Sequence, residues 1–165
     1  MASYYYLMAQ LPLLSFDSAP DLAVEALLEE AEKWVPESDF ALLREIEADG
    51  IAGVRGLPGA LWPMVEFEIQ VREDVGRWRQ AQRAGEDYRP RAVDRSLLEE
   101  GTPLDVERSL LQLRWSVLDD IGAEHHFDLE SVIIYLCKLL IVRRLHSFDR
   151  EEGMKVFRRL CEVDV

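Results

Sequence analysis

The chain is poor in the residues and patterns from which enzyme sites and cofactor sites are usually built. Its 165 residues include two cysteines, Cys137 and Cys161, and three histidines. Two cysteines make no disulfide framework. Both fall inside apolar helical patterns, so buried thiols in a reducing compartment are expected. No run of about 18 uncharged apolar residues occurs, the length a membrane-spanning helix needs. The most apolar stretch, 131–142, is short and interrupted by Lys138. The first residues carry no basic leader and no small-residue cleavage site, so a cytoplasmic protein is expected.

Positive charge is also scarce. Thirty-two acids face nineteen bases, a net charge of −13. The imbalance is uneven: residues 1–50 hold eleven acids against Lys33 and Arg44, while residues 51–102 balance nine acids with eight arginines. Such a surface repels phosphate backbones, which argues against nucleic-acid binding. It suits a basic protein partner, and it serves solubility as well.

Glycines gather at Gly50, Gly53, Gly56 and Gly59. They match neither the Gly-x-x-x-x-Gly-Lys-Ser/Thr phosphate loop nor Gly-x-Gly-x-x-Gly, and no strand precedes them. The stretch 50–60 therefore reads as a connector, and no cofactor is expected.

What the chain does have is helical periodicity. Apolar residues make up 48% of it and charged residues 31%, the balance of a folded globular protein. Val24, Leu27, Leu28, Ala31 and Val35 recur at helical spacing and stop at Pro36. Ser38 is the expected N-cap of a second helix carrying Phe40, Leu43 and Ile46 and ending before Gly50. A long helix is expected over 61–84, with Met64, Phe67, Val71, Val75, Trp78 and Ala81 inward and Glu68–Arg72 and Glu73–Arg77 pairs outward. Residues 85–101 are arginine-rich, broken by Gly85, Pro90 and Gly101, and expected to be mobile in part.

Thr102-Pro103 opens the next helix, with Val106, Leu110, Leu113, Val117 and Ile121 inward. Asp128 caps a helix that is apolar on nearly every face, which belongs at the centre of a bundle or at an oligomer interface. Asp149-x-x-Glu152 starts the last, carrying Met154, Phe157, Leu160 and Cys161. No strand alternation of convincing length appears. The expected fold is all-α: one domain over 1–165, a bundle of about six helices. The short apolar N-terminal segment fits helix and strand equally; its three consecutive tyrosines cannot all face solvent cheaply, so the segment is expected to run through or along the core.

Glu124-His125-His126-x-Asp128 is the one metal-like cluster, with ligand types that suit zinc or a redox metal. Adjacent residues of a turn diverge, however, so a solvated connection is the simpler reading. Cys137 sits in the most apolar helix, without the exposure that activates a thiol. Lys138, Arg143 and Arg144 are cations on that same helix, and each must reach solvent, an acid or another subunit. They are candidates for partner binding, with intramolecular pairing the simpler reading. Trp34, Trp62, Trp78 and Trp115 suit cores better than interfaces, since all fall in helical patterns or at a helix start.

Two stretches carry a resemblance. Tyr4-Tyr5-Tyr6-Leu7-Met8-Ala9-x-Leu11-Pro12-x-Leu14 resembles an uncharacterised bacterial family whose genes lie beside those of V-type ATPase subunits. Phe127-Asp128-Leu129-Glu130-Ser131, Tyr135-Leu136-x-Lys138 and Arg143-Arg144 are similar to a helix of the V-type ATPase C subunit, the d subunit of eukaryotes. That all-helical component is the socket joining the rotor stalk to the membrane ring. It is longer than this chain and built from repeated helical units, and no clear repeat is present here. The resemblance thus implies a non-catalytic accessory, assembly or socket-like protein, peripheral to the ATPase, with Tyr4, Tyr5, Tyr6, Lys138, Arg143 and Arg144 as candidate contacts. Two alternatives stand beside it: a metal-binding module or metal-dependent enzyme using Glu124, His125, His126 and Asp128, and a homo-oligomer joined through 129–147.

Overall fold

The computed structural model describes residues 2–148 and Met154. The expected helix starting at Asp149 and Glu152, with Phe157, Leu160 and Cys161, lies outside the described residues. Seven α-helices and no strand occur among the described residues: α1 (Ala2–Gln10), α2 (Val24–Trp34), α3 (Glu37–Asp49), α4 (Trp62–Ala84), α5 (Arg95–Glu99), α6 (Pro103–Gly122) and α7 (Leu129–His146). The fold is all-helical, as the periodicity predicts. None of these helices is long and apolar enough to cross a membrane.

The N-terminal segment is helical. Tyr4, Leu7, Met8 and Leu11 face the core at helical spacing, with Leu7 fully buried. The stripe is hard to read in the sequence because outward positions 5, 6 and 9 are also uncharged, as Tyr, Tyr and Ala. Pro12 follows the helix and cannot continue it. Of the three tyrosines, Tyr4 packs against the core, while Tyr5 and Tyr6 are 52% and 53% exposed.

Helix α7 is the centre of the bundle. Val132, Ile133, Leu136, Leu139 and Val142 are fully buried, covered by α1, α2, α3 and α6. Of the two placements open to a helix apolar all round, the interior is the one observed. Around it α2 buries Val24, Leu27, Leu28 and Ala31, and α3 buries Leu43 and Ile46. Helix α3 begins two residues earlier than expected: Pro36 is its N-cap, and Ser38 lies in the first turn and bonds Asp39. Two 3₁₀ turns, Ile51–Gly53 and Gly59–Leu61, flank Leu57, and Ile51, Leu57 and Leu61 enter the core, which identifies the stretch as a packed connector.

A second, smaller cluster lies against the middle of α4. Val71, Val93 and Leu110 are buried there, with Phe67, Val75, Leu97, Leu98, Val106 and Leu113 packed against them. Helix α6 therefore has two apolar faces. Val106, Leu110 and Leu113 serve this cluster, while Leu111, Trp115 and Leu118 enter the main core.

The arginine-rich stretch 85–101 is tied back to α4 by Asp74, a carboxylate only 3% exposed. Asp74 accepts from the Tyr88 hydroxyl (2.8 Å), the Arg91 N–H (2.7 Å) and the Ala92 N–H (2.6 Å). Burial alone would raise its pKa. The hydrogen bonds from Ala92, Tyr88 and Arg91, with the Arg91 charge, outweigh that and hold it below the usual carboxylate range.

Candidate interaction surface

Three stretches distant in sequence meet at the start of α7. The connection from α6 turns at Gly122, whose carbonyl accepts from the His125 N–H. Asp128 then caps α7 in a reciprocal box. Its Oδ1 accepts from the Ser131 N–H at 2.9 Å, and the Ser131 hydroxyl accepts from the Asp128 N–H at 3.2 Å. The other carboxylate oxygen, Oδ2, lies 2.7 Å from His125 Nδ1. That hydrogen bond raises the His125 pKa. Asp128 is raised by burial but lowered further by His125 and Ser131, and ends below its ordinary value.

This cap leaves Phe127 pointing outward, 50% exposed. Tyr5 of α1 lies across it at 4.9 Å between ring centroids. Tyr5 also meets Tyr6 edge-on at 5.9 Å, and Tyr6 stacks on Trp34 of α2 at 5.4 Å. Trp34 is fixed by its indole N–H, which donates to Glu30 at 2.7 Å. Tyr4 turns the other way and donates its hydroxyl to Asp39 at the start of α3. Burial, that hydrogen bond and the nearby charges of Asp39 and Glu130 all raise the Tyr4 pKa, so it stays a neutral donor. Four aromatic rings from α1, α2 and the α6–α7 connection thus form one continuous face.

The expected metal-like cluster is only partly assembled. His125 and Asp128 come together, joined by Glu130, with candidate ligand atoms all within 4.8 Å of one another. Glu124 and His126 are exposed neighbours outside that group. The sequence pattern does not single out Glu130, because its role needs the first turn of α7 to fold back toward the connection.

The three candidate cations on α7 all find acids within the chain. Lys138 bonds Asp119 of α6 and lies 5.1 Å over the Trp115 ring. Arg143 approaches Glu47 at 3.6 Å and Glu25 at 3.9 Å, and Arg144 approaches Glu107 at 3.4 Å. Lys138 also lines a cleft of about 280 Å³ between α1, α6 and α7, with Met8, Asp119, His125 and Tyr135. The Tyr135 hydroxyl donates to the Pro12 carbonyl at 2.8 Å, and burial pushes its pKa up to about 12.

Other sequence expectations need correction. Glu68 does not pair with Arg72. It makes a two-pronged pair with Arg114 of α6, at 2.6 and 3.1 Å. Glu73 and Arg77 do approach, at 3.9 Å. Of the tryptophans, Trp78 and Trp115 are buried, Trp34 is half-buried and Trp62 is 54% exposed. Cys137 is buried, and burial pushes its thiol up to about 12, which leaves it unreactive at neutral pH.

Residues 95–163 match a family model described as a protein of unknown function (DUF2764). The DUF2764 match fits the expected kinship with an uncharacterised family. It takes in α5, α6 and α7, and hence Phe127, Asp128 and Glu130, while Tyr4–Tyr6 lie outside it. Comparison with curated proteins and with solved structures found no match.

Proposed function

We propose that this chain is a non-catalytic protein acting by protein–protein interaction, as an accessory, assembly or socket-like component associated with a bacterial V-type ATPase. One observation carries the reading. Tyr5, from the N-terminal stretch, packs at 4.9 Å against Phe127, from the C-terminal stretch, and both are half-exposed. The two stretches on which the resemblance rests thus share a single outward face. Aromatic rings left half in water and clustered together are what an interface anchor requires. The groups with most chemical promise are engaged elsewhere: Lys138 with Asp119, His125 with Asp128, and Cys137 as a buried neutral thiol. The test is binding of the purified chain to separately purified V-type ATPase subunits at low salt. A stable complex with a stalk or catalytic subunit is the expected result, and no affinity for any of the subunits overturns the reading.

A second reading, a metal-binding module, draws support from the approach of His125, Asp128 and Glu130. The His125 Nδ1 contact to Asp128 leaves Nε2 as the ring atom able to ligate. Metal analysis of protein purified without a histidine tag checks it. Stoichiometric metal that is lost in His125→Ala supports this reading; substoichiometric metal unaffected by that change removes it.

A further inference from the structure

Helix α1 is unusual in this chain because it has no charged residue along Ala2–Gln10, whereas the whole protein is 31% charged. One side of it is covered by the core through Tyr4, Leu7 and Met8. The other side presents Tyr5, Tyr6, Ala9 and Gln10 to solvent. Ala9 stands one turn beyond Tyr5, where its small side chain leaves a shallow step beside the ring. Phe127 extends this uncharged strip at one edge and Trp34 at another. The surroundings are acidic. Glu124 and Asp128 stand beside Phe127 in the chain, and Glu130 lies with Asp128 and His125 at the start of α7. Among the described residues the imidazole of His125 is set against these three acids, while Glu30 is matched by Lys33.

We propose that the uncharged outer face of α1, with Phe127 and Trp34, docks a basic amphipathic helix of a protein partner. This rests on the interaction reading above and names its surface and the chemistry of its partner. An apolar ridge on the incoming helix covers Tyr5, Tyr6 and Phe127 and settles over Ala9. Lysines or arginines flanking that ridge reach Glu124 and Glu130. A second copy of this chain fits poorly, because the same acidic rim would meet itself. An anionic lipid surface is disfavoured for the same reason.

The probes are a synthetic leucine–lysine amphipathic helix and its leucine–glutamate counterpart, each titrated against the full chain by tryptophan fluorescence and calorimetry. The leucine–lysine helix is expected to bind and to weaken about tenfold or more as ionic strength rises to about 0.5 M, because the rim contacts are exposed and screened. Binding is expected to fall about tenfold in Tyr5→Ser/Phe127→Ser, as for anchor residues at an interface. Ala9→Lys keeps a good helix former in α1 while placing bulk and a cation on the face, so it tests the surface even if the aromatic variant folds poorly. It is expected to abolish the binding with thermal stability unchanged. Equal binding of both helices, no binding of either, undiminished binding by Ala9→Lys, or a dimer that Ala9→Lys breaks would each overturn the proposal. V-type ATPase subunits captured equally by wild type and Ala9→Lys would sink this surface and leave the association intact. Helix binding lost in Ala9→Lys, with none of the ATPase subunits bound, would do the reverse.

Discussion

Around α7, Val132, Ile133, Leu136, Leu139 and Val142 are removed from water, and the helices packed on them need little polar help to stay in place. Against the middle of α4 the smaller cluster has Val71, Val93 and Leu110 as its buried centre, and the chain over 85–101 has few apolar side chains to offer. There a single carboxylate, Asp74, gathers two backbone N–H groups and a hydroxyl. One region is held by area removed from water, which is non-directional and tolerant of rearrangement. The other is held by directional bonds to one charge, which are lost together when that charge goes. A chain with a sufficient core can therefore carry an arginine-rich strap without a second large core.

The sharpest way to break this comparison is to damage each region and compare the cost. Leu136→Ala removes a fully buried side chain at the bundle centre. It is expected to lower global stability by about 3–5 kcal/mol, read from the urea midpoint. Asp74→Ala strands one hydroxyl and two N–H groups and is expected to cost about 2–3 kcal/mol. Its effect should be local: amide exchange at Arg91 and Ala92 should quicken while α7 stays protected. Equal quickening in both places would mean the two regions open as one.

Acid offers a second view of the same difference. The Asp74 pKa is depressed in the fold, so the stability it contributes is fully present above the ordinary carboxylate value. It is lost as pH falls through the lower, folded value. Amide protection over 85–101 should therefore fail in acid before that of α7. In Asp74→Asn that acid-dependent part should be absent. Asp128→Ala comes next in size, since it removes the α7 cap, with about 1–2 kcal/mol expected on thermal unfolding. Smallest is Tyr5→Ser, on the half-exposed face, which should change stability by no more than about 0.5 kcal/mol. A large loss there would mean that the aromatic face holds the fold together and does not wait for a partner.

The bundle was legible because most of its helices alternate clearly between apolar and charged faces, as α2 does with Leu27, Leu28 and Ala31 against Glu25, Glu29 and Glu32. Helix α1 was not, since an uncharged outer face hides a period that depends on contrast. Helix α6 was half legible, because two apolar faces on one helix blur into a broad stripe, which obscures the row through Leu111, Trp115 and Leu118. Local caps at Thr102 and Asp128 could be read three residues at a time. Asp74 could not: on a solvent-facing pattern beside Glu73 it looks like another surface acid, and its partners lie 14 to 18 residues away. The pair of Glu68 with Arg114 and the meeting of Tyr5 with Phe127 depend on how whole helices pack, which spacing within one helix does not encode. Tyr5, Tyr6 and Phe127 of the candidate face were thus visible in two separate stretches, while Trp34 read as a core residue and the union of the three was not visible.

The most direct test of the interaction reading is purification of the tagged full chain from its own cells at low salt after mild cross-linking, with bound proteins identified by mass spectrometry. V-type ATPase subunits are expected with the wild type and should be lost with Tyr5→Ser/Tyr6→Ser/Phe127→Ser. Recovery of the chain alone would contradict the reading.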